Sequence, residues 1–212
     1  KGATKEINFL LDKIINSTLK LAEKNIETIM PGFTHLKNAQ AVSFAHYLMA
    51  YIEMFNRDKK RLNNNFSNLM ENPLGSGAIS GTSFNIDRNF TTKKLGFKQP
   101  TSNSLDAVGD RDFVLDYLYT IATCSIHMSR VAEDIIFWNS DALNFIKLKD
   151  KSVTGSSIMP QKRNPDPLEY IRGKSAISIG NLISMMAILK GLPSSYFKDL
   201  QDDKEIIFKS TE

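Results

Sequence analysis

Three long stretches of the sequence carry apolar residues at alternating spacings of three and four, and this pattern constrains the fold more than any other feature. Such spacing places apolar side chains on one face of an α-helix. The most regular stretch runs from Val114 to Trp138, through about three and a half heptads. The pattern predicts helices of roughly 30 residues, each about 45 Å long. The expected fold class is therefore all-α, a bundle of long helices.

Polar residues that can cap helices mark the predicted starts of these stretches. Asn38 is the candidate N-cap of the first long helix, Asp106 of the second, and Asn164, which a proline follows, of the third. A weaker amphipathic segment at 7–21 and a short one at 87–95 predict two more helices. We find no alternating pattern that predicts a strand of more than a few residues.

The long helices also carry apolar residues outside their main stripes, for example Met49 and Ile52 in the first and Leu118 and Ile126 in the second. Apolar residues on a second face indicate a second packing partner, and helices of this length need neighbours along their whole length. We therefore expect the chain to oligomerise.

Composition excludes several classes of protein. The single cysteine, Cys124, rules out an intramolecular disulfide and any site built from several cysteines, which favours a reducing, cytoplasmic location. The net charge is +4, and the basic residues are scattered singly or in pairs along the sequence and do not form one cluster. We therefore expect no nucleic-acid partner. The longest nearly uncharged apolar run, residues 175–189, is shorter than a bilayer requires, and we expect no membrane segment. Because residue 1 is Lys, we expect a piece of a longer polypeptide.

Four irregular segments separate the helices, and loops are where residues are free to do chemistry. They lie at residues 30–36, 72–81, 95–105 and 147–164. The glycines at 75, 77 and 81 match neither the dinucleotide nor the triphosphate fingerprint, so they indicate a tight turn. None of the three histidines has a partner at metal-ligand spacing, so we expect no metal site.

The last irregular segment has the most suggestive local chemistry. Gly155, Ser156 and Ser157 are followed by Lys162 and by a helix start after Asn164, where free backbone N–H groups and the helix dipole favour anions. The residues alone support a carboxylate site or a flexible surface loop about equally.

The same segment also carries a family resemblance. Gly155-Ser-Ser-Ile-Met-Pro-Gln-Lys-Arg-Asn164 matches, without a gap, the loop signature Gly-Ser-Ser-x-Met-Pro-x-Lys-x-Asn of the aspartase/fumarase superfamily. Within it the chain most closely resembles the argininosuccinate lyase family. The matching segments are residues 30–36, 74–79, 110–113, 159–166 and 190–204.

The resemblance implies an activity and an assembly. The expected reaction is the reversible β-elimination of argininosuccinate to arginine and fumarate, without metal or organic cofactor, in arginine biosynthesis. The resemblance implies a homotetramer in which the central helices form a shared bundle and each active site is drawn from three subunits. Alternatives are adenylosuccinate lyase, another fumarate-releasing lyase of the superfamily, or a non-catalytic relative of the crystallin kind. From the resemblance we expect residues 1–212 to correspond to the central helical domain, and we expect the family's N-terminal and C-terminal domains to have no counterpart in this sequence.

The resemblance also implies roles for individual residues. Those expected to be catalytic are His35, Ser156, Lys162 and Glu169. Those expected to contact substrate are Thr34, Asn164, Tyr196, Gln201 and Lys204. Glu169 matches the acid that pairs with the catalytic histidine. Whether Ser156 or His35 removes the proton from carbon stays open at this point.

Overall fold

The computed structural model describes residues 2–211, and most of this part of the chain is helical. Its α-helices are α1 Gly2–Glu23, α2 Phe44–Asn68, α3 Arg88–Lys94, α4 Ser104–Gly109, α5 Asp112–Asn139, α6 Asp166–Leu189 and α7 Asp203–Thr211. The three long helices expected from the apolar spacing are α2, α5 and α6, with 25, 28 and 24 residues. The prediction of an all-α fold with long helices is confirmed.

The predicted N-caps of the long helices are wrong. Asn38 lies in a strand, and α2 is capped by Ser43, whose Oγ accepts a hydrogen bond from the backbone N of His46 at 3.1 Å. Asp106 lies inside α4, which Asn103 caps. α5 begins later, where Asp110 accepts from the backbone N of Asp112 at 2.7 Å.

The predicted N-cap of the third long helix, Asn164, is also wrong. Asn164 lies in a short strand, and α6 begins two residues later at Asp166. An N-cap residue can also pair in a strand or turn, because its backbone is extended in each case, so its identity alone does not locate the helix start. The short predicted helix is confirmed, since Asp87 caps α3 through backbone N–H groups of Asn89 and Phe90 at 2.9 and 3.0 Å.

The structure contains a β-hairpin that the sequence did not predict. Strand β1, Ile29–Thr34, pairs antiparallel with β2, Lys37–Ser43. Most residues of β2 are exposed, so the hairpin buries no alternating apolar face, and its backbone hydrogen bonds define it.

Two shorter pairs of strands complete the secondary structure. β3, Glu71–Asn72, pairs parallel with β4, Gln99–Pro100, and β5, Thr154–Gly155, pairs antiparallel with β6, Arg163–Asn164.

The chain divides into two compact units whose boundaries fall within the long helices. Unit 1 contains residues 62–122 and 176–211, and unit 2 contains residues 2–61 and 123–175. The core of unit 1 forms around Val114, Leu118 and Met185, against which Leu182 and Ile206 pack. Burying such side chains stabilises a fold by about 1.5–3 kcal/mol each.

The core of unit 2 contains an aromatic cluster. Trp138 is buried, and the rings of Phe44 and Tyr47 approach it edge-on at centroid distances of 5.6 and 4.8 Å. Tyr51 is buried beside them and donates its hydroxyl to Asp134 Oδ2 at 2.7 Å. Burial and this hydrogen bond raise the pKa of Tyr51, so the phenol stays neutral.

Helix α6 leaves much of its apolar surface uncovered. Ile183 and Met186 are 59% and 55% exposed, although both belong to an almost uncharged stretch of the helix. Of the helices within residues 2–211, none combines the length and the apolar character needed to cross a bilayer.

Candidate active site

The Ser156 segment is a loop closed at its base. Strands β5 and β6 pair Thr154 with Asn164 and Gly155 with Arg163. This pairing holds the two ends of the loop at residues 156–162 next to each other. Thr154 Oγ1 also donates a hydrogen bond to Asp166 Oδ2, in the first turn of α6. The loop is therefore anchored to the start of that helix, while its tip is exposed.

Within this loop, Ser156 has a defined hydrogen-bonding role. Its Oγ accepts from the backbone N–H groups of Ile158 at 3.2 Å and Met159 at 3.1 Å. Two N–H donors aimed at one oxygen stabilise negative charge that develops on it.

Lys162 closes the loop on its other side. Its backbone N–H donates to the carbonyl of Met159 at 3.0 Å, and its side chain is exposed and forms no ion pair within residues 2–211. Arg163 follows, with a guanidinium nitrogen 3.8 Å from Asp150. Two cations therefore stand just before the start of α6, where free N–H groups also favour anions.

His35 lies at the turn of the β1–β2 hairpin. His35 and Leu36 have φ values of 54° and 56°, as the two central residues of a tight hairpin turn require. A residue other than glycine pays about 1–2 kcal/mol for this conformation. Thr34 and Lys37 pair across the turn, and Thr34 and His35 are exposed.

Aromatic packing anchors the hairpin just below this turn. The ring of Phe33 meets that of Phe137 edge-on at 5.7 Å and stacks on that of Phe145 at 6.2 Å. These contacts, together with the strand pairing, hold the backbone of His35 in its strained conformation.

Ser156 and Glu169, two of the expected catalytic residues, have other partners in the part of the chain that the structure describes. Within residues 2–211, no hydrogen bond or ion pair joins His35 to Ser156, Lys162 or Glu169. Glu169 instead lies 3.7 Å from Arg172, whose other nitrogen is 2.5 Å from Glu133 Oε2. Both carboxylates raise the pKa of Arg172, chiefly through the hydrogen bond to Glu133.

Three of the expected substrate contacts do form one cluster, in unit 1. Gln201 donates from Nε2 to the hydroxyl oxygen of Tyr196, and Lys204 donates from Nζ to Gln201 Oε1 at 3.3 Å. Gln201 lies in a 3-10 helix, Lys198–Asp202, that leads into α7. All three side chains are exposed.

The same cluster contains two residues that the sequence analysis missed. Arg111 Nε lies 2.5 Å from Asp203 Oδ2, and their side chains are only 16% and 7% exposed. Lys204 Nζ lies 3.3 Å from the other carboxylate oxygen, Oδ1. The matched segments 110–113 and 190–204 contain both residues, but nothing in a linear sequence pairs positions 92 apart.

Two cavities of unit 1 meet this cluster. One has a volume of about 690 Å³ and is lined by Arg111, Asp203 and Lys204 together with apolar residues such as Phe113. The other, of about 650 Å³, is lined by Tyr196, Arg111 and the turn at residues 75–78. Arg111 therefore lines both cavities.

Other reactive groups do not add to the site. Among the residues that the structure describes, no group of three metal-ligating side chains occurs. Burial, and secondarily Asp58, raises the pKa of Cys124 to about 12, so this thiol stays protonated near neutral pH.

Comparison with known proteins places these loops in context. The sequence profile of a family described as Lyase matches residues 1–180. An argininosuccinate lyase of Pelagibacter ubique is 72% identical over 211 residues, which cover 100% of this chain and 46% of that protein. An argininosuccinate lyase of Caldicellulosiruptor saccharolyticus is 53% identical over 201 residues, 95% of this chain and 44% of that protein. The chain thus spans about half the length of these curated relatives.

Solved structures support the fold. An EDDS lyase in complex with formate has a TM-score of 0.87 and 26% identity, over 98% of this chain and 44% of that chain. A class II fumarase from Schistosoma mansoni has a TM-score of 0.78 and 20% identity, over 95% of this chain and 48% of that chain. The second likeness concerns the fold alone. Together they support the long-helix fold class expected from the sequence.

Proposed function

The chain belongs to the lyase family whose profile it matches over residues 1–180, and we propose that the protein containing it is an argininosuccinate lyase. This enzyme would cleave argininosuccinate reversibly to arginine and fumarate. The observation that carries the proposal is 72% identity over 211 residues with a curated argininosuccinate lyase. The chain then corresponds to the central helical domain of a longer, cytoplasmic protein.

The chemistry of the reaction explains the residue types in the serine loop. A proton must leave the carbon beside a carboxylate, and the carbanion survives only as an aci-carboxylate with two negative charges. Lys162, exposed and without an ion pair within residues 2–211, supplies one cation, and Asn164 a hydrogen bond to substrate. The elimination as proposed uses protein groups throughout and no metal or organic cofactor.

Two groups in this proposal transfer protons. The two N–H groups that already point at Ser156 Oγ favour an alkoxide, which would act as the base on carbon. His35 would protonate the departing nitrogen or, in the alternative assignment, remove the carbon proton while Ser156 assists. Glu169 would then orient His35 once it exchanges Arg172 for the imidazole.

The proposed active site is assembled from several protomers of a homotetramer. Within residues 2–211 His35 forms no hydrogen bond to Ser156 or Glu169, and the exposed apolar side chains of α6, such as Ile183 and Met186, offer a surface for other subunits. Burial of these side chains would stabilise the tetramer. Thr34, beside His35, would contact the substrate from the same hairpin turn.

The remaining substrate contacts are proposed for the cluster in unit 1. Tyr196, Gln201 and Lys204 offer a hydroxyl, an amide and an ammonium group within one hydrogen-bonded chain. These groups suit the carboxylate and amino groups of an amino-acid substrate.

The test uses the full-length protein. Argininosuccinate, adenylosuccinate, aspartate and EDDS are supplied in parallel, and the release of fumarate is followed by its absorbance. We expect turnover of argininosuccinate to exceed that of the other three by at least about 100-fold in kcat/KM. Preference for another of these substrates would overturn the proposal, and absence of any turnover would support a non-catalytic relative.

A further inference from the structure

We propose that Arg111 and Asp203 are positioning residues for Lys204, and that Arg111 keeps the Lys204 ammonium group available to substrate by neutralising Asp203. The inference rests on the proposed function, because Lys204 is a proposed substrate contact. It adds two residues and a mechanism to that function.

The first support is the burial of the pair. Asp203 is the first residue of α7 and lies in unit 1 almost out of contact with solvent, 2.5 Å from Arg111. A buried carboxylate is stable only with a partner that supplies opposite charge or hydrogen bonds. Arg111 is 16% exposed, whereas Lys204, which also contacts Asp203, is about half exposed, so Arg111 is the more buried of these partners.

The second support is the competition for Lys204. Its Nζ lies 3.3 Å from Asp203 Oδ1 and also 3.3 Å from Gln201 Oε1. With Arg111 on the other carboxylate oxygen, Asp203 is already paired, so its hold on the ammonium group is weakened. Without Arg111, Lys204 is the cation that remains in contact with Asp203 among the described residues, and we expect its ammonium group to be drawn to Asp203 and away from Gln201.

The third support is a close backbone approach at the same corner. Arg111 lies between α4 and α5, two residues after Gly109. A Cβ added at Gly109 would lie 2.5 Å from the carbonyl oxygen of Ser195, next to Tyr196. The turn at residues 109–111 therefore contacts residues 195–204, the segment that holds the proposed substrate contacts, at two places. Gly109 approaches Ser195, and Arg111 pairs with Asp203.

The experiment measures kcat and KM for argininosuccinate with the full-length protein. Arg111→Gln is expected to raise KM by about tenfold or more with a much smaller change in kcat, because binding is lost while the reacting groups are untouched. A merely structural role would lower the folded fraction, and so the apparent kcat, at unchanged KM. Unchanged KM in Arg111→Gln would overturn the proposal.

A double variant keeps the test decisive if Arg111→Gln folds poorly. Arg111→Gln combined with Asp203→Asn removes both charges of the buried Arg111–Asp203 pair, so we expect a folded protein whose KM returns to within about threefold of wild type. A KM that stays about tenfold high in the double variant contradicts charge competition.

The matched control is Lys209, which lies on α7 as Lys204 does. Lys209 forms an exposed ion pair with Glu205 at 2.5 Å, and Lys209→Gln is expected to leave KM unchanged. Wild-type protein that fails to cleave argininosuccinate refutes the proposed function, whereas active wild type with unchanged KM in Arg111→Gln refutes the positioning role alone.

Discussion

The imidazole of His127 on α5 donates from Nδ1 to Asp58 Oδ2 on α2, at 2.7 Å. The Asp58 side chain is 1% exposed, and Arg61 donates to its other oxygen at 3.0 Å. From sequence, His127 is one of three isolated histidines, and the structure shows it as the partner of a buried carboxylate.

Removal of this imidazole should destabilise the protein. His127→Ala leaves a buried carboxylate oxygen without its hydrogen bond, which costs about 1–3 kcal/mol. Chemical unfolding followed by circular dichroism measures the loss. His46→Ala is the control, because His46 is exposed on α2, and its effect should stay within about 0.5 kcal/mol. Equal effects of the two variants would contradict the assignment.

Substitution of Ser156 tests the serine loop. Ser156→Ala removes the oxygen that accepts two backbone N–H groups, and we expect turnover to fall about 1000-fold or more while the helical circular dichroism is unchanged. Ser157→Ala, the neighbouring hydroxyl in the same loop, should reduce turnover far less. Near-normal turnover in Ser156→Ala would remove this residue from the mechanism.

His35 is tested separately on the hairpin turn. His35→Asn keeps a residue type that tolerates positive φ, so the turn should persist while the proton-transfer group is lost. Turnover should fall by about 100-fold or more. Retention of the fold is checked by thermal unfolding, and a variant that unfolds early without a turnover defect in its folded fraction would contradict the role.

The glycine turn at residues 75–81 offers a test of close packing. Gly77 and Gly96 both have positive φ, 62° and 69°, but only at Gly77 would an added Cβ meet backbone, at 2.2 Å from the carbonyl oxygen of Gly81. Gly96→Ala should cost about 1–2 kcal/mol from its conformation. Gly77→Ala should cost clearly more, as measured by unfolding free energy, and similar losses would contradict the steric argument.

The raised pKa of the Cys124 thiol predicts that the stability of the native protein depends on pH. Its pKa is raised to about 12, first by burial and then by Asp58, so the native protein gains stability from a neutral thiol. That contribution is complete below the ordinary thiol pKa near 9 and is lost as pH rises from there towards 12. A thiol reagent at pH 8 should modify unfolded protein rapidly and native protein slowly. Equal rates would show an accessible thiolate.

Local pattern predicted the long helices well and their starts poorly. The apolar spacing in α2, α5 and α6 is a property of each helix alone, so it can be read without knowing the partner. The position of an N-cap also depends on the structure of the residues before the helix. Asn38 and Asn164, the predicted caps, pair in strands instead. The hairpin at residues 29–43 was not predicted because most of β2 is exposed and its sequence shows no alternation of apolar and polar residues.

The sequence by itself determined which stretches are helical and which loops hold reactive side chains, because helix period and loop motifs are local. Only the tertiary structure decided which of those side chains have partners. His127 pairs with Asp58 across 69 residues, and Arg111 with Asp203 across 92. Such pairs form because burial removes water from both groups and leaves each as the other's main source of compensating charge.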